Sequence, residues 1–359
     1  MKPLSFIVIG SGWRSLFFAR IAKTYPELFT LKYMLCRTEE KAAKMAAEYD
    51  IPTTTSTEVC DGAKPDFVVV AVSRPSLVTE TKKWVQMGYP VLCETPAADT
   101  VEDLKDLWEM VQNGAKIQIA EQYHRYPILA AGLKAIADGK LADPYAVRLS
   151  MAHDYHGYSL IRRMLEPKEP MKLQLDYLQG KQYTFPVRET GYRGAAITDG
   201  SVGDKVRTLV TLQFTNGKVA FYDFCGVQYH SGIRSRHVNV QGQDGEWNDT
   251  FVRYIGEDYL PVEEQLKQYL APEYEVLNTP DLVEKSQQWT PYVTMENAQD
   301  EYAIATMMLD MGEYIAGGKE VYPMAEALED AYLLILAQEA YKNPDQRIVP
   351  QVMPWHVKE

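Results

Sequence analysis

The stretch Phe6-Ile7-Val8-Ile9-Gly10-Ser11-Gly12-Trp13-Arg14-Ser15 decides the fold of the first part of the chain. Its four leading apolar residues predict a buried parallel strand, and the residues after the second glycine predict the start of a helix. The first glycine permits a tight turn, the second lets backbone approach a ligand, and Ser15 is small enough for close helix packing. Because N–H groups at a helix start attract anions, Gly10, Ser11, Gly12, Trp13 and Arg14 are predicted to bind a dinucleotide pyrophosphate; the alternative is an ordinary strand–helix turn.

Strand and helix patterns alternate through the first third of the chain. After the opening strand, buried strands are predicted at residues 31–36, 66–72, 90–93 and 116–120, with helices between them. Thr38 is predicted to cap the helix that begins at Glu39. Such alternation is typical of an α/β fold with a doubly wound parallel sheet. We therefore expect a dinucleotide-binding Rossmann domain over residues 1–122.

The second part of the chain has a different pattern. Strands are predicted at residues 146–152, 171–178, 206–214, 219–227 and 236–241, and Thr215-Asn216-Gly217-Lys218 predicts a hairpin turn. Residues 251–296 give no clear pattern, and residues 300–316 and 324–341 have apolar residues at helical spacing. Residues 123–359 are therefore expected to form an α+β domain for substrate binding and oligomerisation, whose last helices pack back on the first domain.

Composition restricts the partners. The net charge of −12 argues against nucleic acid or an anionic membrane as the main partner. The four cysteines are scattered, which fits a reducing compartment and predicts no zinc site. Met1-Lys2-Pro3 leads directly into the first strand, and no apolar run has membrane-spanning length, so we expect a cytoplasmic protein without a signal peptide.

The tip of the second predicted strand bears on the choice of cofactor. Enzymes that use NAD usually place an acidic residue at this position to hold the ribose hydroxyls. This chain has Cys36-Arg37-Thr38 instead, and Arg37 can pair with a 2′-phosphate. The sequence therefore favours NADP, although NAD remains possible because arginine also stacks on adenine.

Taken together, these motifs resemble the Gfo/Idh/MocA family of NAD(P)-dependent oxidoreductases over nearly the whole chain. The resemblance rests on the order and spacing of the opening glycine turn, Val70-Ala71-Val72-Ser73-Arg74-Pro75, Gly88-Tyr89-Pro90-Val91-Leu92-Cys93-Glu94-Thr95-Pro96, Ala120-Glu121-Gln122-Tyr123-His124-Arg125-Tyr126-Pro127, and Glu326-Ala327-Leu328-Glu329-Asp330-Ala331. It implies a second domain with a large open, mostly antiparallel sheet through which subunits form a dimer or tetramer. It also implies sugar or polyol substrates, and cofactor contacts from Ser73, Arg74, Glu94 and Thr95.

One departure from the family pattern concerns catalysis. The family's Glu-Lys-Pro signature reads Glu94-Thr95-Pro96 in this chain. A threonine hydroxyl can donate a hydrogen bond, but it cannot take up a proton near neutral pH. Either other residues carry out the acid–base chemistry, or the usual alcohol oxidation does not occur.

The densest polar cluster is His153-Asp154-Tyr155-His156. Because the family resemblance implies that His156 lies in the substrate cleft, we predict that His156 is the general acid or base, with His153, Tyr155 or nearby Tyr158 positioning a sugar. The alternative is that Asp154 caps the helix and the histidines are bonded to the backbone. No carboxylate at a matching spacing accompanies the histidines, so no metal is expected.

Tyr123, His124 and Arg125 follow the last predicted strand of the Rossmann domain, where ligand crevices lie. They are predicted to contact nicotinamide or substrate; the alternative is that Arg125 merely fixes the chain between the domains. The predicted function is hydride transfer between NAD(P) and a sugar-like hydroxyl. Two alternatives remain: a glycosidase or lyase that oxidises its substrate transiently, and a non-catalytic dinucleotide-binding relative, which the loss of the lysine would favour.

Overall fold

A computed structural model describes residues 2–192, 195–277, 279–288 and 298–356. Backbone contacts divide the chain into two units. Unit 1 comprises Met1–Tyr126 and Leu270–Ala331, and unit 2 comprises Pro127–Tyr269 and Tyr332–Glu359. The sequence places the division after residue 122; the contacts place the first break at Tyr126 and return residues 270–331 to unit 1, because a helix in that range contributes to its core.

The elements follow one another along the chain as follows. The strands are β1 (Leu4–Ile9), β2 (Phe29–Leu35), β3 (Thr53–Thr54), β4 (Phe67–Val70), β5 (Val91–Cys93), β6 (Ile117–Ile119), β7 (Pro144–Ser150), β8 (Leu175–Arg188), β9 (Gly191–Tyr192), β10 (Ala195–Ala196), β11 (Val202–Phe214), β12 (Val219–Cys225), β13 (His237–Gly242), β14 (Gly245–Asn248), β15 (Phe251–Ile255) and β16 (Pro261–Gln265). The helices are α1 (Ser15–Thr24), α2 (Glu39–Tyr49), α3 (Thr57–Gly62), α4 (Arg74–Gln86), α5 (Val101–Gln112), α6 (Pro127–Ala137), α7 (Asp154–Leu165), α8 (Thr279–Gln287), α9 (Gln299–Ile315) and α10 (Met324–Lys342).

Unit 1 contains a six-stranded parallel sheet in the order β3-β2-β1-β4-β5-β6. Residues 6–9 of β1 and all of β4 are buried apolar runs, as expected of parallel strands covered on both faces. The winding direction reverses between β1 and β4, and in this topology ligands bind beyond the carboxyl ends of those strands. The predicted Rossmann fold is confirmed.

Two helices illustrate how sequence forms unit 1. Helix α2 begins at a predicted cap, because the Thr38 hydroxyl accepts a hydrogen bond from the Lys41 N–H at 3.2 Å. Helix α9 lies where helical spacing predicts it, and its Met307, Met308 and Met311 join the hydrophobic cluster that contains the β1 side chains. Residues of α9, which lie late in the sequence, thus complete the core of the Rossmann fold.

Unit 2 contains an eight-stranded sheet in the order β16-β15-β14-β13-β7-β12-β11-β8. The β7–β12 pair is parallel and the other neighbouring pairs are antiparallel, which confirms the expected α+β fold with a large, mostly antiparallel sheet. The predicted hairpin joins β11 to β12, with Gly217 at a φ of +83°.

The structure corrects some predicted strands in unit 2. Residues 170–172 form a 3₁₀ turn beginning at Pro170, so the strand predicted at residues 171–178 begins only at Leu175 and continues to Arg188. β15 and β16 lie in the stretch that gave no pattern. Apolar residues there occupy both faces of β15, so the alternation that identifies a half-buried strand is weak.

Candidate functional site

The turn after β1 is closely packed at its first glycine and open at its second. Gly10 has a φ of +113°, and a Cβ atom there would lie 2.3 Å from the Ala71 carbonyl oxygen at the end of β4. At Gly12, in contrast, no described atom beyond the glycine and its two chain neighbours lies within 4 Å of the position of a Cβ. Ser15 is fully buried, and its hydroxyl donates to the Ala71 carbonyl at 3.3 Å. A closely packed first glycine and an open second glycine at the start of α1 fit a bound pyrophosphate.

Arg14, at the start of α1, lies at the centre of a polar network within unit 1. Its Nε donates to the Glu94 carboxylate at 2.6 Å, and its Nη2 donates to the Gln122 side-chain oxygen at 2.7 Å. Its Nη1 lies 3.7 Å from Asp300 Oδ1, and the Tyr126 hydroxyl donates to the same carboxylate oxygen. Residues beyond β1, β5 and β6 are thereby connected to the start of α9.

The charges in this network reinforce one another. Burial alone would lower the pKa of the Arg14 guanidinium, but Glu94 and Asp300 raise that pKa above its usual range. Burial, together with Asp300, raises the pKa of the Tyr126 hydroxyl well above its usual range. Arg14 is therefore a permanent cation, and Tyr126 a neutral hydrogen-bond donor, at this edge of the sheet.

The other residues predicted to bind cofactor follow strands of the same parallel sheet. Trp13 is partly exposed and contacts Phe17 edge to face, with ring centroids 4.6 Å apart. Arg37 is exposed beyond β2, and Ser73 and Arg74 are exposed at the start of α4 beyond β4. Thr95 is half-buried beside Glu94. Parallel strands bring these residues to one sheet edge, and the structure joins Arg14 and Glu94 directly.

Arg125 makes contacts inside unit 1 that favour a structural role. Its guanidinium donates to Asp310 and to the Val321 carbonyl, both at 2.6 Å, and to the Thr306 hydroxyl at 3.2 Å. These contacts fix the 3₁₀ turn at Tyr123–Arg125 to α9 and the chain beyond it. Two aromatic contacts accompany this turn: Tyr123 stacks on Tyr126 at 4.7 Å, and the His124 ring lies 5.4 Å from that of Tyr322.

The predicted histidine cluster lies in unit 2, between β7 and α7. His153 is the N-cap of α7, where the sequence offers Asp154 as an alternative cap. The His153 Nδ1 atom is hydrogen-bonded to the Tyr229 hydroxyl at 2.7 Å, and the rings of His153 and His156 are 4.9 Å apart. The two histidines that the sequence selects are therefore adjacent in space.

Tyr222 holds this turn from β12. Its hydroxyl accepts a hydrogen bond from the Asp154 N–H at 2.8 Å and donates one to the Ala152 carbonyl at 3.0 Å. Asp154 has a φ of +43°, a conformation that costs energy for a residue with a side chain. The two hydrogen bonds hold the backbone in this conformation and so fix where His153 and His156 lie.

The predicted residues of this cluster differ in exposure, because His153 is exposed whereas His156 and the two tyrosines are buried. His153 is exposed and His156 is 6% exposed, whereas Tyr155 and Tyr158 are 1% and 0% exposed. The Tyr158 hydroxyl is 3.1 Å from that of Tyr341, and burial raises its pKa well above the usual range. These positions favour a packing role for both tyrosines.

Sequence reasoning missed four polar residues that support these groups: Gln122, Asp300, Tyr222 and Tyr229. Gln122 lies within the family-like segment at residues 120–127, so its position could have indicated that it belongs to the site. Asp300 contacts residues far away in the sequence, and no local pattern marks it. Tyr222 and Tyr229 lie in a strand pattern and a turn that resemble ordinary packing positions.

Two further properties concern the described residues only. Within them, no three His, Cys, Asp or Glu side chains are grouped as metal ligands. Among the described residues, no helix is both long enough and apolar enough to cross a membrane.

Comparisons with known proteins agree with this geometry. Residues 4–121 match the model of the oxidoreductase family with an NAD-binding Rossmann fold, GFO_IDH_MocA. The D-xylose 1-dehydrogenase [NADP(+)] of Haloarcula marismortui is 27% identical over 158 residues, which are 42% of this chain and 43% of that protein. This chain thus matches less than half the length of that relative.

Solved structures match over nearly the full length and show the fold. Levoglucosan dehydrogenase in complex with NADH and L-sorbose has a TM-score of 0.71 and 16% identity, covering 98% of this chain and 100% of that one. An Agrobacterium radiobacter oxidoreductase in complex with NAD+, L-tartaric acid and magnesium has a TM-score of 0.68 and 14% identity, covering 96% and 98%. Residues 4–121, which carry the glycine turn, Arg14 and Glu94, thus match the Gfo/Idh/MocA family of NAD-binding oxidoreductases, and the solved structures show a similar fold for the rest of the chain.

Proposed function

We propose that this protein is an NAD(P)-dependent oxidoreductase that transfers hydride between nicotinamide and a hydroxyl-bearing carbon of a sugar, sugar derivative or polyol. The observation that carries the proposal is the Gly10–Gly12 turn, closely packed at the first glycine and open at the second, within a segment that matches an NAD-binding family. The relative that acts on xylose and the similar fold that binds L-sorbose support a sugar-like substrate.

Unit 1 supplies the cofactor site in this proposal. The backbone of Gly10, Ser11, Gly12 and Trp13 binds the pyrophosphate at the start of α1. Ser73 and Arg74 line the neighbouring strand end, and Glu94 and Thr95 lie on the ribose and nicotinamide side. When bound, the cofactor supplies the hydride acceptor or donor, and the protein orients it.

Arg37 sets the preference between the two cofactors. Its exposed guanidinium follows β2 at the position where NAD enzymes carry an acid, and it can form paired hydrogen bonds with a 2′-phosphate. We therefore propose a preference for NADP over NAD. The similarity to the D-xylose 1-dehydrogenase [NADP(+)] of Haloarcula marismortui supports this choice.

Proton transfer is assigned to unit 2. We assign His156 as the general acid or base, with His153, held by Tyr229, positioning the substrate. Thr95 donates a hydrogen bond but cannot take the proton. The remaining predicted positioning groups are Tyr123, His124, Arg125, Tyr155 and Tyr158. Burial favours a packing role for Tyr155 and Tyr158, and the contacts of Arg125 favour a structural role for it.

Subunit association and location are further parts of the proposal. The open face of the eight-stranded sheet carries exposed Tyr183, Phe185 and Leu209, which support association of identical subunits through this face. The four cysteines are all free and buried, which supports a reducing compartment such as the cytoplasm. A small sugar-like molecule, rather than nucleic acid or membrane, is the proposed partner.

The first experiment measures cofactor binding by quenching of tryptophan fluorescence with NADPH and NADH. We expect tighter binding of NADPH, and we expect Arg37→Ala to remove this preference while retaining NADH binding. Binding of neither nucleotide would overturn the proposal.

The second experiment screens sugars and polyols for a change in nicotinamide absorbance. His156→Gln should abolish turnover and leave cofactor binding intact, whereas the control His356→Gln near the C-terminus should behave as wild type. Substrate conversion without net change in the cofactor would instead support the redox-neutral glycosidase alternative. Cofactor binding without any conversion would support the non-catalytic one.

A further inference from the structure

The Arg14 side chain crosses the carboxyl edge of the parallel sheet in unit 1. Arg14 follows β1, whereas its partners Glu94 and Gln122 follow β5 and β6, which lie two and three strands away in the sheet order. Because neighbouring strands are about 4.8 Å apart, the side chain must extend over the strand ends on that side of β1. The guanidinium therefore lies on the β5–β6 side of the proposed pyrophosphate site.

The proposed cofactor placement brings the nicotinamide to the same side. Arg37, which is proposed to select the adenosine end, follows β2, and the pyrophosphate is proposed at the start of α1. An extended dinucleotide that starts at β2 and crosses β1 must end beyond β4 to β6. The inference drawn below therefore rests on the proposed function.

The charges of the Arg14 network do not cancel. Arg14 contributes one positive charge, and the carboxylates of Glu94 and Asp300 contribute two negative charges. Gln122 and Tyr126 donate hydrogen bonds to Asp300 Oδ1 without adding charge. The side chains of Arg14, Glu94 and Asp300 are 20%, 10% and 30% exposed, so water and salt screen them less than surface charges. The network therefore holds one net negative charge at this edge of the sheet.

The neighbouring ion pairs of unit 1 do not offset this charge. Arg20 pairs with Glu301 at 2.9 Å, and Arg125 pairs with Asp310 at 2.6 Å. Each arginine is matched by one carboxylate, so these pairs add no net charge to the network.

Nicotinamide changes its charge when it transfers hydride. The oxidised ring carries one positive charge and the reduced ring carries none, whereas the phosphates of the cofactor carry the same charge in both forms. A net negative charge beside the ring therefore favours the oxidised form. We propose that Arg14, Glu94 and Asp300 together raise the affinity of the protein for the oxidised cofactor relative to the reduced one.

This difference in affinity affects hydride donation. When a carbonyl substrate is reduced, hydride leaves the reduced ring with its electron pair and bonds to the carbonyl carbon, while the carbonyl oxygen takes the proton of His156, the assigned acid. The network stabilises the positive charge that develops on the ring in this step. Tenfold tighter binding of the oxidised form than of the reduced form lowers the reduction potential of the bound cofactor by about 30 mV. The bound reduced cofactor is then a stronger hydride donor.

Fluorescence titrations at neutral pH test the proposal with NADP+ and NADPH, or with NAD+ and NADH if these bind more tightly. The measured quantity is the dissociation constant of the oxidised form divided by that of the reduced form. Asp300→Asn and Glu94→Gln each remove a negative charge and should raise this ratio by about threefold or more. Arg14→Gln removes the positive charge and should lower the ratio by a similar factor. A purely structural disturbance would weaken both forms together and would not produce shifts of opposite sign.

Asp106→Asn is the matched control. It also removes a negative charge from unit 1, but the Asp106 carboxylate pairs with Lys82 at 2.8 Å, outside the network, so the ratio should equal that of the wild type. Asp300→Asn keeps an oxygen that can accept from Tyr126 and Gln122, so this variant changes the charge with little change in shape. Thermal unfolding of each variant shows whether it folds.

Three results would overturn the inference and leave the proposed function standing. They are an unchanged ratio in both carboxylate variants, a rise of the ratio in Arg14→Gln, and an equal shift in Asp106→Asn, which would indicate a general effect of protein charge. Binding of neither nucleotide by the wild type would overturn the proposed function and this inference together.

Discussion

The guanidinium of Arg14 lies 2.6 Å from the carboxylate of Glu94, although 80 positions separate the two residues. The pair joins the start of α1, where the pyrophosphate site is proposed, to the segment after β5, where the family signature stands. Gln122 and Asp300 hold the same guanidinium from two further directions. The chain therefore anchors a fixed cation on Glu94, which directly precedes Thr95 in the sequence, the residue at which the chain departs from the family pattern.

This network predicts that arginine at position 14 cannot be replaced by lysine. An ammonium group is a point charge and cannot reproduce the separate bonds from Nε and Nη2. Arg14→Lys should lower the free energy of unfolding by about 1–3 kcal/mol, measured by urea denaturation. The same change at exposed Arg37 is the control and should have little effect on stability. Equal stability of Arg14→Lys and wild type would show that the network does not support the fold.

The two glycines of the first turn should respond differently to alanine. Gly10→Ala places a Cβ 2.3 Å from a backbone oxygen at a positive φ, so it should reduce both thermal stability and cofactor binding. The Cβ of Gly12→Ala meets no described atom within 4 Å beyond its own chain neighbours, so this variant should keep the wild-type unfolding temperature. Its methyl group should still weaken NADPH binding in a fluorescence titration, because it occupies the space proposed for the pyrophosphate. Full NADPH affinity in Gly12→Ala would contradict this placement.

Tyr222 should matter for both stability and catalysis, although it is not proposed to touch substrate. Tyr222→Phe removes the hydroxyl that bonds the Asp154 N–H and the Ala152 carbonyl. We expect a loss of about 1–3 kcal/mol of stability, because two backbone groups lose their partner. We also expect a lower kcat, because His153 and His156 lose their fixed position. Tyr145→Phe, on an exposed tyrosine, is the matched control; a Tyr222→Phe protein with unchanged kcat and stability would contradict the assignment.

The sequence predicts features that depend on neighbouring residues. The glycine turn, the Thr38 cap and the β11–β12 hairpin were all predictable because the residues that specify each lie within a few positions of one another. Glu94 was selected from a family-like segment, and His153 and His156 were selected from the dense polar cluster at residues 153–156.

Long-range contacts set the limit of prediction. Asp300 is 178 positions from Gln122, and nothing near it in the sequence indicates that it joins the Arg14 network. The support of the histidine turn by Tyr222 likewise depends on the register between β7 and β12, which a single sequence does not specify. The individual groups of a site are thus readable from sequence more often than the contacts that hold them.

Arg20 and Glu301 form a buried ion pair that connects α1 to α9, with Nη2 2.9 Å from the Glu301 carboxylate and side chains 4% and 2% exposed. Glu301→Ala leaves the Arg20 charge buried without its partner, so we expect a loss of about 3–5 kcal/mol in the free energy of unfolding. The double variant Arg20→Met with Glu301→Leu should recover most of this loss, because it removes both charges. Failure to recover would show that packing, rather than charge, accounts for the effect.

The same pair predicts a pH dependence. Burial raises the pKa of the Glu301 carboxyl above its usual range, and Arg20 only partly opposes the shift. The folded state therefore holds this proton more tightly than the unfolded chain, so the contribution of Glu301 to stability falls as pH rises from the ordinary carboxyl pKa to the folded-state pKa. Glu301→Gln lacks this ionisation, so the unfolding free energy of the wild type minus that of the variant should decrease over this range and then level off. An increase with pH, measured by urea denaturation at a series of pH values, would instead mean that attraction to Arg20 outweighs the cost of burial.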